Sequence, residues 1–157
     1  MKAGKYLAAA GAAVLLALSG CGGGDGGATA ETTSSLSKAE FMKKATAICA
    51  RGTAKINAGY SRASAEATKR GAGEHFMNEA AARIVIPVRR EQLQEIKALG
   101  LPAEDEETIE AFLEALQEGI ERGEESHASL RAGGPDFAFE RAYVLANKHG
   151  LESCFFG

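Results

Sequence analysis

The chain has 157 residues, 45% of them hydrophobic, and a formal charge of −3 at neutral pH. That length holds one compact domain of ordinary size. With no Trp and 6% aromatic residues, its core is expected to rest on Ala and aliphatic side chains in close helix packing. A mildly acidic chain lacks the cationic face that phosphate backbones require, which excludes nucleic acid as the expected partner.

Residues 1–20 have the layout of an export signal. Lys2 and Lys5 precede an apolar, Ala-rich run from Tyr6 to Leu18, and small residues follow. A bilayer span needs about 20 apolar residues, and this run is shorter. A plain secretory cut at Ala17-Leu18-Ser19 is the other alternative. Leu18-Ser19-Gly20-Cys21 resembles the lipobox of bacterial lipoproteins. The resemblance implies that Cys21 receives a diacylglyceryl group and becomes the first residue after cleavage. Loss of Lys2 and Lys5 then leaves 16 Lys and Arg against 21 Asp and Glu, a charge of −5. No polybasic patch for anionic headgroups is apparent, so the acyl chains on Cys21 are expected to supply the membrane attachment.

Residues 21–36 follow as a Gly-, Ser- and Thr-rich tether with little to bury. A coil of that length spans roughly 20 Å root-mean-square. Residues 37–157 are expected to form the extracytoplasmic domain, all-α, a small antiparallel bundle of about four helices. Ser37 and Glu40 have the spacing of a capping box, and Leu36 and Phe41 that of a hydrophobic staple. Phe41, Ala45, Ile48, Cys49, Gly52 and Ile56 then recur at helical spacing. Gly59 loosens the pattern, and Gly71-Ala72-Gly73 ends the first helix.

The second helix starts near Glu74, with Phe76, Ala80 and Ile84 as its early stripe. Ile84-Val85-Ile86-Pro87 has strand-like composition, but no partner strand is apparent, so a helix kinked near Pro87 is expected. Leu93, Ile96 and Leu99 continue it to Gly100. The third helix is the clearest amphipath, with Ile109, Phe112, Leu113, Leu116 and Ile120 on one side. Glu104, Asp105, Glu106 and Glu107 fall in its expected first turn, where negative charge suits the helix dipole. It is expected to stop near Arg131. Pro135 and Asp136 suit the first turn of a fourth helix, whose buried stripe is Phe139, Ala142, Tyr143 and Ala146 and which ends at Gly150.

Cys49 and Cys154 form an even pair once Cys21 is lipidated. In an exported protein the expectation is a disulfide, and two buried thiols are the alternative. No metal is expected from cysteines so far apart, and no cofactor motif is present. His75 and Glu79 share a helix face but lack the H-E-x-x-H order. His127 is expected at the apolar boundary of helix three, and His149 suits the dipole of the last turn of helix four. The acids of residues 104–125 read as a solvated face rather than a cation site. Arg83, Arg89 and Arg90 are a candidate anion-binding cluster, with pairing to the acids of helix three as the simpler reading. No Ser lies in a nucleophile context, and nothing selects a catalytic pair among the carboxylates. Phe155 and Phe156 are expected either to dock on the bundle or to form a contact patch.

Over residues 36–157 the layout is similar to that of small uncharacterised lipoproteins of high-GC Gram-positive bacteria. Phe41, Ala47-Ile48-Cys49, Leu99-Gly100-Leu101-Pro102-Ala103, Phe139, Ala142, Gly150-Leu151 and Cys154 carry the resemblance. It implies a lipid-anchored helical domain with Cys49 and Cys154 bridged, and it implies no activity. The expected function is therefore a non-enzymatic binding or interaction module of the cell envelope. Its partner would be an envelope protein, or a small apolar or anionic ligand carried between helices near the three arginines.

Overall fold

The computed structural model describes residues 36–130 and 137–156. The expected export signal, Cys21, all of the expected tether but Leu36, and Arg131, Pro135 and Asp136 lie outside them. The domain is all-α. Its helices are α1 (Lys38–Arg70), α2 (Glu74–Lys97), α3 (Glu106–Glu125) and α4 (Glu140–His149), with 3-10 turns at His127–Ser129, Phe137–Phe139 and Glu152–Cys154.

The start of α1 follows its sequence signals. The Glu40 amide donates to Ser37 Oγ, and the Ser37 amide donates to Glu40 Oε2 at 3.2 Å. These bonds satisfy donors that a helix start leaves orphaned. At the other end Gly71 adopts φ 62°, a left-handed cap that a residue without Cβ takes without strain. The whole expected stripe from Phe41 to Ile56 is buried.

Helix α2 runs without interruption through Pro87, so the strand-like composition of 84–87 does not decide its structure. Pro87 is exposed. The carbonyl that a proline leaves without an amide donor can then turn to water, which limits the cost of the lost bond. Helices α1 and α2 pack antiparallel. Gly52 and Gly59 lie against α2, and a Cβ on either would collide with the Gln92 or Ile84 side chain. Gly59 is thus a packing position rather than a flaw in the pattern. Two ion pairs flank the seam, Arg51 with Glu95 and Lys55 with Glu91, each at 2.6 Å. Exposed pairs of this kind add little energy, on the order of 0–1 kcal/mol, but they agree with the register set by the buried stripe.

Four boundaries differ from expectation. Helix α2 ends at Lys97, before Leu99 and Gly100. Helix α3 begins at Glu106, not Glu104: the Asp105 amide donates to the Pro102 carbonyl at 3.1 Å and closes a turn ahead of the helix, and the Asp105 carboxylate binds Lys38 at 2.7 Å rather than capping. It ends at Glu125, about one and a half turns short of Arg131. The chain turns there because Leu130, fully buried, folds back onto Gly123, where a Cβ would lie 2.9 Å from a Leu130 methyl. Helix α4 begins at Glu140, after the 3-10 turn that buries Ala138 and Phe139. Phe139, Ala142 and Ala146 are buried as expected, whereas Tyr143 is only half-buried. Its ring instead meets Phe155 and Phe156 edge-on, with centroids 5.8 and 5.3 Å away.

Candidate functional site

The chain end is fastened to α1 and α2 by a buried set of covalent and polar contacts. Cys49 and Cys154 form a disulfide, both residues being buried. Thr53 Oγ1 donates to the carbonyls of Ser153 at 2.8 Å and Cys154 at 3.0 Å. Arg89 Nη1 donates to the Cys154 carbonyl as well, and to Gln92 Oε1 at 3.0 Å. Gln92 Nε2 in turn donates to the Cys49 carbonyl at 3.0 Å. The Arg89 guanidinium lies 4.4 Å from the Phe155 ring centroid and 5.5 Å from that of Phe139. A buried charge is costly unless hydrogen-bonded, and ring faces add cation–π attraction. Phe155 is therefore docked, while Phe156 stays 56% exposed.

This placement corrects the expected arginine cluster. Arg89 is 4% exposed and points into the domain, whereas Arg83 and Arg90 are exposed. Adjacent helix positions lie about 100° apart, so Arg89 and Arg90 cannot share a face. Arg90 pairs with Glu124 of α3, which is the simpler of the two readings. Arg89 and Gln92 fall on the Val85–Leu93–Ile96 stripe, and that spacing was the signal for their burial.

The histidines also pair differently from their sequence spacing. Glu79 meets His127 rather than His75, Nδ1 donating to Oε1 at 2.8 Å. The pair fastens α2 to the 3-10 turn that follows α3. The hydrogen bond from His127 holds the Glu79 carboxyl below its ordinary range, and the charges of His127, His75 and Arg83 act in the same direction. A lowered folded value means that the stabilisation is present above the ordinary Glu range and is lost as pH falls through the folded value. As pH falls from neutrality through the ordinary carboxylate range and below it, the stability difference between the wild-type chain and Glu79→Gln should therefore shrink. Denaturant midpoints at each pH measure it, and a difference that stays constant would refute the link.

Comparison with known protein families, curated proteins and solved structures returned no match. The surface itself is then the guide. Among the described residues no helix is long and apolar enough to cross a membrane. Two acids of α3 are engaged from other helices, Glu124 by Arg90 and Glu118 by Arg141. A groove of about 390 Å³ runs between α3 and α4, lined by Ala111, Arg122, Glu140, Arg141, Val144 and Leu145. That volume falls in the range of about 300–1,000 Å³ typical of small-molecule sites. None of Arg83, Arg89 and Arg90 lines it.

Proposed function

We propose that this chain is a lipid-anchored extracytoplasmic protein whose helical domain serves as a non-enzymatic binding or interaction module. The observation that carries the reading is the division of labour among three cysteines. Two are joined across the domain, which suits an oxidising compartment. The third, Cys21, follows Leu18-Ser19-Gly20 after an apolar run, where a lipobox cysteine stands.

Replacing Cys21 by Ser tests this. The wild-type chain should sediment with membranes and incorporate labelled palmitate, and the variant should lose the label and leave the membrane fraction. A variant that stays with the membrane would overturn the anchor.

A further inference from the structure

We infer that the groove between α3 and α4 takes a small zwitterion bearing an apolar side chain, of which an apolar α-amino acid is the simplest member. The inference rests on the binding-module reading and gives it a ligand class. The groove has a charged end and an apolar end. At the charged end Arg141 is engaged with Glu118 at 2.7 Å, so these two charges answer each other. Arg122 leans back along α3, its Nε donating to the Glu118 carbonyl at 3.4 Å. Among the described residues neither the Arg122 guanidinium nor the Glu140 carboxylate has a salt-bridge partner, although both line the same groove. They are opposite charges that do not reach each other.

Helix α4 runs antiparallel to α3 from this point, which carries Val144 and Leu145 toward Ala111. Val144 is 56% exposed, one of two large hydrophobic side chains so exposed among the described residues. A carboxylate on Arg122 and an ammonium on Glu140 would satisfy both unpaired charges, and an aliphatic side chain laid toward Ala111 and Leu145 would cover Val144. A simple anion would meet Glu140 as a repulsive neighbour, and a simple cation would meet Arg122. That pairing of attraction with rejection selects the zwitterion.

The test is titration of L-leucine into the isotope-labelled full chain, read by amide shifts of Val144 and Leu145. Saturable shifts confined to the groove are expected. Arg122→Gln and Glu140→Gln should each weaken binding about fivefold or more, since each removes one charged hydrogen-bond partner. N-acetyl-L-leucine, an anion once its amine is blocked, should bind more tightly to Glu140→Gln, which no longer repels it, and more weakly to Arg122→Gln. L-leucine methyl ester should show the reverse. No saturable shift, shifts away from the groove, or blocked analogues binding as tightly as leucine would overturn the inference. Both substituted side chains are exposed and outside the core, and an unchanged thermal midpoint verifies that each variant folds. The Cys21→Ser fractionation does not touch the groove, so anchor and ligand fail separately.

Discussion

Replacing both Cys49 and Cys154 by Ala is expected to lower the melting midpoint by about 10 °C or more while leaving the helices formed. The bridge joins residues 105 apart in sequence. Closing a loop of that length removes conformational freedom from the unfolded chain, a contribution of roughly 4–5 kcal/mol in the entropic account and typically about 2–5 kcal/mol in practice. Against a net stability of about 5–15 kcal/mol for a domain, that is a large share. The folded state loses less. Thr53, Arg89 and the Ser153 hydroxyl, which donates to the Thr46 carbonyl at 3.2 Å, still hold the chain end on α1 and α2. Far-ultraviolet circular dichroism should therefore report near-wild-type helix at low temperature, and the loss should appear in the midpoint. An unchanged midpoint would mean that the unfolded chain is already constrained without the bridge. Replacing both cysteines is the cleaner experiment, because a single change leaves a buried thiol in place of the bond.

The buried stripes were legible because they obey the helical period. The stripes from Phe41 to Ile56 and from Ile109 to Ile120 carry apolar or small residues at the expected spacing, and each of these is buried. Local chemistry also showed the first cap, since Ser37 and Glu40 interact within one turn. What depends on contacts distant in sequence did not show. Asp105 looked like part of an acidic first turn, yet Lys38, far away in the chain, takes its carboxylate. Glu79 was paired with His75 by spacing, yet the turn after α3 brings His127 to it. The end of α3 depends on Leu130 finding the notch at Gly123, which no helix-stop signal at Glu125 announces. The arginines illustrate the same limit. Arg89 lies on the stripe and Arg90 does not, but only the packed chain end, with its carbonyl and two rings, makes burial of Arg89 tolerable. The groove could not be read at all, since Arg122 and Glu140 belong to different helices and become neighbours only when α4 folds back on α3.

Truncating Phe139 to Ala should cost about 3–5 kcal/mol, the range for a large side chain lost from a packed core. Phe139 is 1% exposed and precedes the first residue of α4. Its ring fills the space above Gly119 so closely that a Cβ on that glycine would lie 2.3 Å from one ring carbon and 2.7 Å from another. Glycine has no side chain with which to close the cavity that truncation leaves. The same ring covers one side of the Arg89 guanidinium, so its removal also weakens the enclosure of a buried charge. Both effects point the same way, and neither is recovered by moving a single side chain. Phe156→Ala is the control. That ring is 56% exposed, and its loss should change stability by no more than about 0.5 kcal/mol. Urea unfolding followed by circular dichroism compares the two variants, with an unchanged slope showing that the same surface is exposed in each. A loss below about 1 kcal/mol for Phe139→Ala would mean that α4 does not depend on this contact for its place against α3. The groove would then lack a fixed wall, because Val144 and Leu145 are carried on the helix that Phe139 seats.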